Sequence, residues 1–477
     1  MKLFLRLSTV AVLFMICVSC GDQYRPVIIP NPPIFPNPAA AHTAVTISNN
    51  GDFNNGSAMV IDVSGDTIMS IKDVGLVPVH AVQQTASQVL VVNQSNAGIP
   101  QDSVSKLSFS GLIIGNVFTL TLPFSYDAGG SGAITTAAPN FVATTESNQA
   151  YVLMPRYQPN QQGGPFVPSV AALNTQGNSN LGTVPVSANP AANPVAMAET
   201  PNGKKLYVAN QGDSTVAAFN TAASAPPSPR AITGSFNAPV WLAARNDNQR
   251  LYVLNGNGVL STVDISTTSG PDNVIDSSIT VPGSPAYMWY DVIKNRLYIP
   301  GDNQVTILDV SQSVPVVLGG GAIAISPVST TLRSASDPCA TTTVGNTMFA
   351  VAATSLPDAS RAYIGSYYLD NAGNVCPQVT VINVPTSSIK TTIPVPGFPA
   401  YSFCADPAQT RFRLMMAAAG DSTRAYLASC DGGNVNIIYT QTDTYALNDL
   451  APLSARPPIP PSTQNPPQNP IFLFAGP

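Results

Sequence analysis

An apolar strand pair that recurs eight times along the chain limits its architecture more than any other feature. The clearest copy is Leu206-Tyr207-Val208-Ala209-Asn210, a turn over 211–214, then Thr215-Val216-Ala217-Ala218-Phe219-Asn220. The next copies cover 251–255 with 260–264, and 297–299 with 305–309. Their tyrosines, Tyr207, Tyr252 and Tyr298, lie 45 and 46 residues apart. Looser copies align at Val45, Leu90, Tyr151, Tyr363 and Tyr426. A unit of this length with several short strands cannot bury its own faces. Its copies must stack on one another, and a ring of small sheets does that.

Each unit reads as four strands. Strand A is small and apolar, as in Pro194-Val195-Ala196-Met197-Ala198-Glu199, because innermost strands crowd a central axis. Strand B carries the tyrosine. Strand C ends in Asp or Asn, at Asp62, Asn174, Asn220, Asp264, Asp309 and Asn383. Strand D leads into a Pro/Gly turn such as Val281-Pro282-Gly283-Ser284-Pro285. The B and C strands are β-branched because stacked sheets bury both of their faces. The expectation is an all-β β-propeller of four-stranded blades over 43–450. Eight blades are preferred; seven is the alternative if the copy at Val45 or Leu90 is a hairpin outside the ring. The first unit lacks strand A. Ile471 to Phe474, in the Pro-rich tail over 451–477, can supply it and so close the ring. Spacings up to 65 residues require insertions. These fall at 158–164, 326–344 and 367–375, and are read as loops from their Gly, Asn, Gln, Ser and Pro content.

The run Leu206-Tyr207-Val208-Ala209-Asn210, with Ser214-Thr215-Val216 and Asn220-Thr221, resembles the YVTN-repeat β-propeller family. The resemblance spans roughly residues 44–440 and implies the same fold. It implies no particular activity, because propellers host many unrelated functions.

The N-terminus predicts an address. Lys2 and Arg6 precede an apolar run over 7–18, too short to span a bilayer and right for a secretory signal over 1–19. Val18-Ser19-Cys20-Gly21 resembles a bacterial lipobox, which implies that Cys20 carries lipid. Cys17 stands where that motif usually has Leu. A Pro-rich tether follows over 20–42, favouring an extended spacer. Gly21 in place of an aspartate favours the outer membrane, on its periplasmic or surface face. The expected partners are the membrane, through the lipid, and an envelope protein or glycan. The head is read as a monomer.

Only 9% of residues are charged, with 20 Lys and Arg against 25 Asp and Glu. Roughly 25% is ordinary. No basic patch exists, which argues against nucleic acid. Apart from Cys17 and Cys20 there are four cysteines, in matching places of two consecutive units. Cys339 and Cys404 precede strand A; Cys376 and Cys430 are read as lying between B and C. An even number in an exported chain predicts disulfides. Of the three pairings, the parallel places favour Cys339–Cys376 and Cys404–Cys430. No metal or other cofactor is expected, since the cysteines lack CxxC spacing and a nearby histidine.

Few residues can carry catalysis. The histidines are His42, in the tether, and His80, at the start of an A strand. His80 is read as half-buried and bonded to a turn carbonyl. Asp370-Asn371-Ala372-Gly373-Asn374 loosely resembles a calcium loop but reads better as a turn, and Asp264 and Asp309 read as turn caps. Glu199, Arg245 and Asp291 follow A strands and are the remaining enzymatic candidates. Trp241, Tyr287, Trp289 and Tyr290 cluster at the start of two neighbouring A strands. They pack between blades or stack on a ligand at the channel mouth. The resulting expectation is a binding or scaffold head without catalysis, acting through the insertion loops. The alternatives are a lactonase- or dehydrogenase-type propeller enzyme and an outer-membrane assembly factor.

Overall fold

The computed structural model describes residues 43–50, 55–85, 87–95, 101–145, 148–222, 225–341, 347–406, 411–445, 453–454 and 469–475. The signal, Cys20, the tether and His42 lie outside these residues. Eight sheets, each built on four antiparallel strands, follow one another in chain order and form an eight-bladed propeller; in the fifth, the short strand Ile232–Thr233 adds parallel to the rim strand Asp272–Thr280. A small hairpin, Ser125–Tyr126 with Ile134–Thr135, projects between the second and third blades.

The first blade is completed by the end of the chain. Its strands run Thr67–Leu76, Asn55–Asp62, Thr43–Asn49 and Asn469–Ala475 from the rim inward. Val45 faces Phe474 and Ile47 faces Phe472 across the last pair. Hydrogen bonds between the two chain ends thus close the ring and leave no open edge there.

Burial follows strand position. The B strands Gln149–Met154 and Lys205–Asn210 are buried along their whole length, because each is covered by a blade on either side. Rim strands such as Thr67–Leu76 and Ser179–Pro185 are largely exposed. Tyr151, Tyr207, Tyr252, Tyr298, Tyr363 and Tyr426 are among the largest fully buried side chains.

A second repeat holds neighbouring blades together. In five blades the residue two places before the B-strand tyrosine reaches the end of strand C, or the turn after it, in the next blade; Arg250 instead pairs with Asp264 of its own blade. Lys205 Nζ donates to the Ile265 and Thr267 carbonyls at 2.6 and 2.7 Å. Arg296 donates to the Val384 carbonyl, Arg361 to the Thr440 carbonyl, and Arg424 Nε to Asp66 at 2.9 Å. Gln149 Nε2 reaches the Ala222 carbonyl at 3.0 Å. Several of the tyrosine hydroxyls add a bond in the same direction: Tyr207 to Asp272 at 2.7 Å, Tyr363 to Asp443 at 2.9 Å, Tyr426 to Asp66 at 3.2 Å. The last of these joins the eighth blade to the first. Much of the chain's small charge is therefore placed between blades rather than on the surface.

Two local expectations are corrected. The segment 367–375 is not a loop. Strands Arg361–Leu369 and Asn374–Asn383 extend the hairpin through it, with Tyr368 opposite Cys376, leaving only a tight turn at its tip. Its aromatic and β-branched residues, Tyr367, Tyr368 and Val375, favour strand over the nearby Gly and Asn. Cys376 consequently sits within strand C rather than before it. The disulfides Cys339–Cys376 and Cys404–Cys430 are both present, each with Cα atoms 5.8 Å apart. Each ties the segment ahead of strand A to its own blade.

Candidate binding site in the central channel

The A strands line the channel, and their side chains divide it in two. Six rings make a closed circuit of contacts across it: His80, Phe141, Trp241, Tyr287, Phe412 and Phe472. They come from six different blades. His80 stacks on Phe141 with centroids 3.9 Å apart, and Trp241 meets Tyr287 edge-to-face at 4.9 Å. Edge-to-face and offset pairs of this kind add about 0.5–1.5 kcal/mol each beyond burial. The rings form a septum because the alanines elsewhere on the A strands leave axial space that only large side chains fill.

Arg411 lies against this septum. Its guanidinium carbon is 4.5 Å from the Trp241 ring centroid, 5.2 Å from Phe141 and 5.9 Å from Phe412. It donates to the Val195 carbonyl. Among the described residues it makes no ion pair. Burial pulls its guanidinium down to about 9, which leaves it cationic at neutral pH. Part of its surface remains open to the channel.

On one side of the septum, at the end where the A strands begin, is a chamber of about 510 Å³. Arg411, Arg413, Gln94, Gln211 and Asp302 line it, with Phe349 and Tyr367 on its wall. Arg413 is held by Asp431 through bonds of 2.7 and 2.8 Å. On the other side is a more apolar chamber of about 380 Å³, lined by His80, Glu199, Trp289, Tyr290, Met415 and Phe474 among others. Tyr287 and Phe412 line both. Either volume suits a small molecule.

The four aromatics singled out from sequence therefore belong to one region. Trp241 and Tyr287 are part of the septum, and Trp289 and Tyr290 line the apolar chamber. Trp289 Nε1 donates to Ser355 at 3.1 Å. His80 is 5% exposed and does not bond a turn carbonyl. Its Nδ1 accepts the Val142 amide at 3.4 Å, which places the imidazole proton on Nε2. Burial, then the positive charge of Arg411, lowers its pKa well below the ordinary value, so it is neutral.

The acidic candidates are not brought together. Asp291 accepts the amides of Ile293 and Lys294 at 2.9 and 3.1 Å and caps a turn. Arg245 donates to the Val310 and Gln312 carbonyls at 2.9 Å each and pairs with Asp247. Glu199 alone of the three reaches a chamber. Asp264 and Asp309 cap turns, accepting the amides of Ser266 and Ser311. Asp370 does the same for Ala372 and Asn374 at 2.9 and 2.7 Å. Cys339, Cys376 and Asp370 converge closely enough to suggest a metal, but both thiols are consumed by their disulfide. The loop at 158–164 is held to the small hairpin: Tyr126 N–H donates to the Gln158 carbonyl and Gln161 Nε2 to the Tyr126 hydroxyl.

Sequence reading missed Arg411, Phe412, Phe141 and Phe472 as a group. Arg411-Phe412-Arg413 is the one signal that was available, since two arginines immediately ahead of an apolar A strand are out of place at an axis lined by small residues.

No protein-family model matches this chain, and no curated protein matches it in sequence. Solved structures do match. Citrobacter koseri AztD aligns with a TM-score of 0.54 at 11% identity, covering 91% of this chain and 97% of AztD. The dihydro-heme d1 dehydrogenase NirN in complex with DHE aligns with a TM-score of 0.57 at 13% identity, covering 91% and 77%. At these identities the likeness is one of fold.

Proposed function

We propose that this chain is the binding head of an exported lipoprotein and that it takes a small molecule into its central channel without converting it. The observation that carries this reading is the divided channel. Its two chambers are of ligand size, walled by rigid aromatic rings, with a cation at the partition. The channel displaces the insertion loops as the favoured contact surface, because the 158–164 loop is held to its neighbouring hairpin and the 367–375 segment is strand. Non-catalysis is supported by the state of the titratable groups. His80 is neutral and held by a backbone amide, and Asp291 and Arg245 are engaged in turns and blade contacts. The signal over 1–19 and the Cys20 junction support the lipid anchor and the outer-membrane address. The Leu206 to Asn210 motif supports kinship with the YVTN-repeat propellers.

The test combines both halves of the proposal. Full-length protein, exported by a Gram-negative host, is incubated with a defined mixture of organic acids, sugars and short peptides. Native mass spectrometry should then show the head carrying an intact member of the mixture, whose total composition is unchanged. Consumption of a compound with appearance of its product would refute the non-catalytic reading. Cys20→Ser protein should leave the membrane fraction or keep its signal; cleaved protein still bound to membrane would refute lipid anchoring.

A further inference from the structure

We propose that the chamber at the start of the A strands is a receptor for small organic monocarboxylates, with the Arg411 guanidinium as the carboxylate anchor. This rests on the reading of the channel as the binding site and names what it selects.

The argument begins with an incomplete charge. A guanidinium sunk to the middle of a protein normally faces a carboxylate, because an unpaired ion loses its hydration without compensation. Arg413, two residues on, obeys this rule through its two bonds to Asp431. Arg411 does not: its recorded partners are one carbonyl and the faces of Phe141, Trp241 and Phe412. Ring faces attract the cation but accept no directed N–H pair of the kind a planar fork makes with a carboxylate. Arg411 lines the 510 Å³ chamber, and its guanidinium has donors beyond the one bonded to Val195. The septum behind is rigid, so the fork is already oriented before any ligand arrives.

The chamber also states the ligand's charge. Asp302 lines it and Arg413 is neutralised, leaving Arg411 as the one uncompensated cation among the described lining residues. One cation beside one carboxylate suits a monoanion and disfavours the dianion of a phosphate. The ligand's body is indicated by Tyr287, Phe412, Phe349 and Tyr367, the last two stacked at 5.3 Å. These walls favour an apolar, planar group attached to the acid. Gln94 and Gln211 also line the chamber, with one end of each side-chain amide engaged, Gln94 Nε2 by the Pro139 carbonyl and Gln211 Oε1 by Asn193.

The experiment is isothermal calorimetry on detergent-purified full-length protein, with phenylacetate and benzoate against phenylacetamide, benzamide and inorganic phosphate. The acids should bind, the amides at least roughly ten-fold more weakly, as expected for loss of one charge-assisted pair. Phosphate should show no saturable heat. Arg411→Gln should erase the difference between acid and amide. The wild-type comparison of acid with amide stands even if that variant misfolds. Amides or phosphate binding as well as the acids would overturn the carboxylate assignment while leaving a channel-binding head intact. Failure of every probe to bind would also overturn it, and the native mass spectrum then decides the broader reading separately.

Discussion

At the scale of single residues, the same side chain types do opposite work depending on depth. Arg413 and Arg411 are two positions apart, yet one is closed by Asp431 and the other opens on a cavity. His80 is governed by this arrangement. Buried beside a cation, it stays neutral in the folded protein, whereas in the unfolded chain it takes a proton near pH 6.5. Below that pH the unfolded state binds more protons than the folded one, so stability falls as pH drops. Thermal melts of wild type should therefore lose ground between about pH 7 and pH 5, and His80→Gln should flatten that part of the dependence. Parallel losses in both proteins would mean that His80 is charged in the fold. The neutrality of His80 was not legible in the sequence, because Arg411 lies more than three hundred residues away along the chain.

At the scale of elements, the B strand carries two messages. Its tyrosine and apolar run were legible as a repeat. The charged or amide residue two places earlier, seen as Gln149, Lys205, Arg296, Arg361 and Arg424, was equally periodic and marks the latch between blades. It was readable only in hindsight, since most of its partners are carbonyls of the next blade and backbone has no sequence signature; Arg424, which bonds the Asp66 carboxylate, is the exception in kind. Tyr207→Phe tests the latch. The hydroxyl bond to Asp272 disappears, but Lys205 and Arg230 still pair with that carboxylate at 3.0 and 2.8 Å. The expected cost is about 1–3 kcal/mol, towards the lower end, read as a lower urea midpoint with an unchanged slope. No change in midpoint would show that the hydroxyl is merely accommodated. The disulfides were legible because each of two adjacent units has one cysteine ahead of strand A and one after strand B, although Cys376 falls inside strand C and Cys430 before it; the extended hairpin at 367–375 was not, because its Gly and Asn residues masked a strand pattern.

At the scale of the whole molecule, the ring is closed twice between its first and last units. Asn469–Ala475 supplies the inner strand of the first blade, and Arg424 and Tyr426 of the eighth bond Asp66 of the first. The terminal strand also delivers Phe472 into the septum, so closing the ring and dividing the channel are a single structural act. Blade number and closure follow from repeat spacing and from an apolar segment stranded in a Pro-rich tail. The site does not, because its septum takes one ring from each of six blades and its chambers draw on further blades, and only the closed ring brings them together. The chain's two tryptophans both line this channel, Trp241 in the septum and Trp289 in the apolar chamber. The most direct measurement is the emission of Trp241 alone, in Trp289→Phe protein, as phenylacetate is titrated in. A ligand seated at Arg411 lies against the septum, so the account predicts a saturable change in emission that tracks the calorimetric isotherm. Heat of binding with unchanged Trp241 emission would place the ligand outside the channel and contradict the account.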